Sequence, residues 1–151
     1  MKSLCNLGRY WLVLQFVALS VLFGLIIYLS LRSSPSMGEL AWLPGPIADW
    51  ADRNGDLRTL VPYALAATLW CWCLRCYYLH KPAVQMASEV RLCCGYLLGG
   101  FVLLVLLLGT ELWQVFLPER HPALGDLFWG SVGIVGGLAV GGWRWSRLTK
   151  F

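Results

Sequence analysis

The fold is decided by a stretch in the last third of the chain, Thr110 to Gly137, which reads TELWQVFLPERHPALGDLFWGSVGIVGG. Glu111 and Gln114 stand three residues apart after a long apolar run, so a helix places both side chains on one face. Pro118 ends that helix, because proline has no N–H to donate and its ring clashes with the carbonyl one turn earlier. The stretch therefore predicts two helices joined by a short polar turn.

The second helix of this stretch begins soon after the turn. Pro122 suits a first helical position, since its fixed φ is already helical. Asp126 then falls in the first turns, where the positive end of the helix dipole favours a carboxylate. Polar side chains from both helices and from the turn are thus expected to meet in one place. We call this set the polar corner, and it consists of Glu111, Gln114, Arg120, His121 and Asp126.

The rest of the chain has the composition of a membrane protein. Of its 151 residues, 58% are hydrophobic and 13% are charged, whereas a soluble domain carries about a quarter charged residues. Four runs approach the roughly 20 apolar residues that cross a bilayer as a helix, at about residues 10–31, 57–79, 92–116 and 123–143. We predict an all-α polytopic membrane protein, a bundle of four transmembrane helices forming one domain over residues 1–151.

The distribution of basic residues predicts the orientation of this bundle. Eight of the 12 Lys and Arg residues fall on the side that holds both chain ends, and the side richer in basic residues is cytoplasmic. Both termini are therefore predicted to be cytoplasmic, and the polar corner faces outward. The positive charges flank the spans and form no basic cluster with base-stacking aromatics, so the bilayer is the expected partner and nucleic acid is not.

The loop between the first two spans, about residues 33–56, is rich in proline and glycine, which argues against a long helix there. It has room for at most a short surface element. Trp42 and Trp50 have the amphipathic shape that favours a membrane surface. We expect residues 40–50 to lie at that surface and the loop to cover the polar corner.

Two interpretations of the polar corner remain open from the sequence. In the functional one, Arg120 holds a phosphate or carboxylate in a bidentate fork, and Glu111 or Asp126 acts as a catalytic acid or base if burial raises its pKa. His121 could then shuttle a proton. In the structural one, Arg120 pairs with a carboxylate and Gln114 caps a helix end.

Three glycines of the fourth span recur every four residues, at Gly133, Gly137 and Gly141. Small residues at this spacing let another helix approach closely, and packing contacts then drive association within the membrane. We predict that these glycines form a helix-packing face.

Four cysteines raise the possibility of a zinc site, namely Cys73, Cys76, Cys93 and Cys94. Cys71, Cys73 and Cys76 have the spacing C-x-C-x-x-C inside an apolar helix, which does not match the usual zinc motifs. We expect these cysteines to act as small buried hydrophobes, and we predict neither a metal site nor a cofactor.

The chain resembles the VanZ-like family of bacterial membrane proteins. The family has a glutamate and a glutamine three residues apart at a helix end, a Pro-x-Arg turn, and an aspartate that opens a glycine-rich last span. The corresponding residues are Glu111, Gln114, Pro118-Glu119-Arg120, Asp126, Gly133 and Gly137. The family often has histidine or asparagine at the start of the second span, where this chain reads Asp56-Leu57-Arg58-Thr59.

The resemblance implies a multi-pass protein of the bacterial cytoplasmic (inner) membrane. The family is named for a protein linked to teicoplanin resistance, and relatives occur beside envelope polysaccharide systems. An accessory role in the cell envelope is therefore implied, with a lipid-linked glycan, a headgroup or an envelope-assembly protein bound at the polar corner. Two alternatives are a small membrane enzyme acting on a lipid-linked substrate and a structural subunit that assembles through the glycine face.

Overall fold

The computed structural model describes residues 2–32, 34, 36–79, 88–117 and 123–146. These residues form helices and connecting turns, and they contain no strand. The helices are α1 (Lys2–Leu31), α2 (Gly45–Arg53), α3 (Gly55–Leu79), α4 (Ser88–Gln114) and α5 (Leu124–Ser146). All except α2 are long and apolar enough to cross a membrane. The predicted all-α membrane bundle with four spanning helices is confirmed.

Helix α4 ends at Gln114, two residues earlier than the predicted limit of its span. The sequence explains this end, because a proline at position 118 cannot donate to the Gln114 carbonyl and its ring would clash there. The chain tightens instead into i→i−3 hydrogen bonds, from Phe116 N–H to Trp113 O (3.0 Å) and from Leu117 N–H to Gln114 O (3.1 Å). Such tighter bonds are a common way to satisfy the last carbonyls of a helix.

Pro62 lies inside α3, which begins at Gly55. A proline in the first helical turn would cost no hydrogen bond, because the N–H there is unpaired anyway, but Pro62 lies beyond that turn. Within the helix, Pro62 has no N–H to offer the Arg58 carbonyl one turn earlier. Pro62 also lines the cleft described below, so the interruption falls where the helix faces a cavity rather than the packed core.

Helices α3 and α5 form the most extensive helix pair in the described part of the chain. A Cβ added to Gly137 would lie 2.7 Å from the Cβ of Ala67, and one added to Gly133 would run into the Leu60 carbonyl. At Gly141, an added Cβ would be 2.7 Å from the Cβ of Cys71. The glycine face is thus covered by α3 of the same chain and does not offer an assembly surface to another subunit.

Helices α1 and α4 complete the bundle around this pair. The buried apolar cluster draws on all four spanning helices and consists of Ile26, Tyr63, Ala66, Ala67, Leu103, Leu107 and Ile134. It lies beneath the end of the bundle where α1 and α4 finish and α3 and α5 begin. That end therefore has a packed apolar base on which polar groups can be held.

The loop between α1 and α3 contains the short helix α2, in agreement with the expected short surface element. Ala48 and Ala51 are its buried residues, and they pack with Met37 and Leu40 in a second, smaller apolar cluster. Ile47 and Trp50 lie one turn apart on an exposed edge of α2. An exposed apolar edge of this kind supports the expectation that the loop lies at the membrane surface, which stays a prediction.

Candidate functional site

A cleft of about 80 Å³ lies under the loop, at the end of the bundle where α1 and α4 finish. Its apolar lining consists of Leu25, Ile26, Leu29, Met37, Pro62 and Leu107. The polar lining comes from α1 with Ser30, from α3 with Arg58, Thr59 and Tyr63, from α4 with Thr110, Glu111 and Gln114, and from α5 with Asp126. The predicted site at two helices is therefore a cleft with walls from all four spanning helices.

The structure brings together three of the five residues of the polar corner. Glu111, Gln114 and Asp126 all line the cleft. Arg120 and His121 lie outside the described residues, so their predicted roles as anion clamp and proton shuttle stay predictions. The expected cover by the first loop agrees with the position of Met37, which is only 5% exposed and lines the cleft from above.

Glu111 connects α4 to the start of α5. Its side chain is buried, with 6% exposure, and Oε2 accepts the backbone N–H of Ala123 at 3.2 Å. The Ala123 carbonyl in turn accepts the Asp126 N–H at 3.0 Å, which begins the helix. N–H groups at a helix start have no intrahelical partner and favour a negative charge, so Glu111 stabilises the point where α5 begins.

Gln114 connects α4 to the end of α1. It is 4% exposed, and its side-chain amide Nε2 donates to the Ser30 carbonyl at 3.4 Å. Ser30 lies in the last turn of α1, where carbonyls lack an intrahelical partner. This contact matches the structural interpretation, in which Gln114 caps a helix end.

Asp126 connects α5 to α3. Its Oδ1 accepts the Thr59 hydroxyl at 2.8 Å. Asp126 lies in the first turn of α5, as predicted. Thr59 was missed by sequence reasoning, although Thr59, Pro62 and Tyr63 share one helical face by their i, i+3 and i+4 spacing. This spacing, together with the aspartate at the start of the last span, could have indicated that Thr59 belongs to the site.

Tyr63 is a deeply buried residue of the cleft lining. The residue is 3% exposed, and its hydroxyl has no hydrogen-bond partner among the described residues. Thr110 lies close to it, but the Thr110 hydroxyl donates to Leu107 O at 2.9 Å, and no contact between the two hydroxyls has hydrogen-bond geometry. Because buried polar groups are almost always paired, this hydroxyl is a point at which a ligand can bind.

Asp52 fastens the segment that covers the cleft. Its Oδ1 accepts the Met37 N–H at 2.8 Å, and its Oδ2 accepts the Ser36 hydroxyl at 3.2 Å and the Gly38 N–H at 3.3 Å. Arg58 Nη1 lies 3.7 Å from Oδ1. The Met37 N–H is the largest contribution that lowers the pKa of the Asp52 carboxyl. One carboxylate thus ties three consecutive loop residues to α2 and faces an arginine of α3.

Arg32 holds the same loop from the end of α1. Its Nη1 donates to the Ser36 carbonyl at 3.1 Å, and its Nη2 lies 3.4 Å from Glu39 Oε2. The loop over the cleft is therefore tied both to α1 and, through Asp52, to α2. These contacts join residues across an irregular loop, so no periodic pattern in the sequence predicts them.

The cysteines that the structure describes are spread over buried and exposed positions. Cys71 and Cys73 are buried, but Cys93 and Cys94 are exposed, so the expectation that Cys93 and Cys94 are buried hydrophobes is wrong. They lie on the outer surface of α4, which also exposes Leu97 and other large apolar side chains. Within the described ranges, no three His, Cys, Asp or Glu side chains come together as metal ligands.

The chemistry available in the cleft is binding through hydrogen bonds beside an apolar wall. Glu111 and Asp126 are both used as acceptors by neighbouring helices, which is a structural role. Tyr63 and Arg58 are further polar residues of the lining. Comparisons with models of known protein families, with characterised proteins and with solved structures found no match for this chain. Its function is therefore argued from the cleft.

Proposed function

We propose that this protein is an accessory integral membrane protein of the bacterial cell envelope, of the VanZ-like kind. Its cleft binds the polar headgroup of an amphiphile in the outer leaflet, either a membrane lipid or a lipid-linked glycan. The observation that carries the proposal is that one cleft at the ends of the spanning helices combines an apolar lining with several polar side chains. Ligand pockets commonly combine an apolar lining with a few placed polar groups.

The apolar lining of the cleft suits the first part of a hydrocarbon chain. Leu25, Ile26 and Leu29 of α1 belong to it, and Leu25 is also exposed on the outside of the bundle. An amphiphile whose chain lies along α1 would bring its headgroup to the polar residues of the same cleft. A free water-soluble ligand would leave the apolar lining without a partner.

The polar lining suits a headgroup with hydroxyl or amide groups. Such groups both donate and accept, and Tyr63, Gln114 and Asp126 all belong to that lining. The resemblance suggests the setting, which is glycopeptide (teicoplanin) resistance or an envelope polysaccharide system. In both settings the ligand is a component of the outer leaflet.

The experiment is to purify the protein in a mild detergent and identify the amphiphile that it retains by native mass spectrometry. Tyr63→Phe removes only the hydroxyl in the cleft, and the matched control Tyr96→Phe removes a buried hydroxyl that also lacks a described partner but lies outside the cleft. Wild type and Tyr96→Phe should retain the amphiphile, whereas Tyr63→Phe should bind it roughly two- to tenfold more weakly, the range of one net hydrogen bond. Equal retention by both variants would count against the cleft as the binding site.

The same preparation separates binding from catalysis. A retained lipid-linked glycan that stays chemically unchanged supports the accessory role. Chemical conversion of the retained amphiphile by the wild-type protein would instead support the small membrane enzyme.

The outward orientation has its own test. A cysteine introduced at position 121 should react with a membrane-impermeant thiol reagent added to intact cells. Reaction only after the cytoplasmic face is exposed would place the polar corner on the wrong side for this proposal.

A further inference from the structure

Part of the loop over the cleft, residues 36–43, contributes to its lining, and we call it the roof segment. Met37 is its residue in the cleft lining. The roof segment follows α1 and precedes α2, and it consists of turns rather than helix. Whether the cleft is open from above therefore depends on where this short segment lies.

Few interactions hold the roof segment down. Its apolar contact is the cluster of Met37 and Leu40 with two alanines of α2, Ala48 and Ala51, flanked by Leu29 and Leu43. Alanines bury little apolar area, and burial contributes in proportion to area. Segments with few buried apolar contacts open locally at a low free-energy cost.

The polar interactions of the roof segment with α2 converge on one side chain, whereas Arg32 at the end of α1 holds Ser36 and Glu39 separately. Ser36, Met37 and Gly38 all donate to the Asp52 carboxylate. Hydrogen bonds to an ionised group are stronger than those between neutral groups. Arg58 of α3 lies close to Asp52 and also lines the cleft. Asp52 is therefore connected to the wall of the cleft as well as to the roof segment.

We infer that the roof segment is a lid that opens to admit ligand to the cleft, and that Asp52 is the latch that holds it closed. The inference rests on the proposed function for what the lid admits, but the motion of the lid is independent of it. A latch built on one carboxylate lets the lid open as a unit, because releasing Asp52 frees three neighbouring donors together. Once Asp52 is released, the apolar cluster is the contact between the lid and α2 that remains among the described residues.

The chain offers a matched control for Asp52. Asp49 lies on the same helix and has an exposed i,i+4 contact with Arg53 at 4.0 Å. It makes no contact with the roof segment among the described residues. Asp49→Asn therefore removes the same charge from α2 as Asp52→Asn without touching the latch.

The test uses Met37→Cys as a reporter of opening, in the full-length protein reconstituted in liposomes of phosphatidylglycerol and phosphatidylethanolamine. A membrane-impermeant thiol reagent is added from outside, and protein without the reporter measures background labelling. Because the buried side chain reacts only when the lid opens, Asp52→Asn should raise the labelling rate by about tenfold or more, as expected for hydrogen bonds to a charged acceptor. Asp49→Asn should leave the rate unchanged, and Ser36→Ala, which removes one of the three donors, should raise it by about two- to fivefold.

Equal labelling rates in Asp52→Asn and Asp49→Asn would overturn the latch. If Asp52→Asn fails to accumulate, Ser36→Ala decides in its place, and a rate equal to that of Asp49→Asn overturns the inference. Labelling needs no ligand, so a cleft that retains no amphiphile would refute the proposed function and leave the lid standing. A retained amphiphile with unchanged labelling in Asp52→Asn would refute the lid and leave the binding site standing.

Discussion

Replacing Gly137 by alanine tests the reasoning about how the bundle is held together. The added Cβ would lie 2.7 Å from the Ala67 Cβ and 3.0 Å from the Ala64 carbonyl carbon, and it would also meet the Ala64 carbonyl oxygen. Carbon atoms in favourable contact are about 3.5–4.0 Å apart. The backbone of α3 cannot turn aside as a flexible side chain can, so α3 and α5 must separate by roughly 1 Å at this point.

The magnitude follows from a comparison with the neighbouring glycine. Gly136 has nothing within 4 Å of its added Cβ. Alanine is favoured over glycine in a helix by about 1 kcal/mol, and this gain is common to Gly136→Ala and Gly137→Ala, so it cancels between them. The remaining difference is the cost of overpacking, about 1–3 kcal/mol. Gly137→Ala should therefore be less stable than Gly136→Ala by that amount.

The assay is reversible unfolding of the purified variants in mixed micelles with increasing sodium dodecyl sulfate, followed by circular dichroism. We expect Gly136→Ala to unfold at or above the midpoint of the wild type, and Gly137→Ala to unfold clearly below the midpoint of Gly136→Ala. Equal midpoints for the two variants would mean that the backbones of α3 and α5 are not in close contact, and the assignment of the glycine face to packing within the chain would fail.

Three further predictions concern the cleft and the loop over it. Thr59→Val should lower the free energy of unfolding by about 1–2 kcal/mol in the same assay, because it removes the donor to Asp126, and Thr59→Ser should restore most of the loss. The pKa of Asp52 is lowered from 3.8, so its carboxylate stabilises the closed lid above that pH, and this contribution is lost as the pH falls through the lower pKa of the folded state. Distances between spin labels on the roof segment and on α3 should therefore stay constant from neutral pH down to about pH 4 and lengthen only below it. A spin label at Ile47 should be more accessible to oxygen than to a water-soluble nickel complex, and one at Asp49 should show the reverse, if the apolar edge of α2 lies in the membrane surface.

Much of the fold could be predicted because the physics that sets it is local. A span is recognised from a continuous apolar run, whatever it packs against. The pair Glu111 and Gln114 could be placed on one face because helical spacing alone decides this. Pro118 and Asp126 likewise act within one turn of their own helices, as a terminator and as a first-turn carboxylate. Each of these predictions needed only neighbours in the sequence.

The walls of the cleft could not be predicted in the same way, because they depend on which helices touch. Nothing within α1 marks Ser30 as the carbonyl that Gln114 reaches, 84 positions later. Asp52 is one of several acids in its loop, and only the folded chain brings it to Ser36, Met37 and Gly38. The contribution of the first two spans to the site was therefore missed.

The contacts of the carboxylates also bear on what the cleft is for. A catalytic acid or base must exchange a proton with its substrate, whereas Glu111 and Asp126 each accept a hydrogen bond from another part of the chain. Replacing either one would disturb a helix connection before it affected any chemistry. Loss of activity in Glu111→Gln alone would for that reason not identify a catalyst. Tyr63 has no such connecting contact among the described residues, so a change confined to its hydroxyl reports on the ligand with the helix connections left in place.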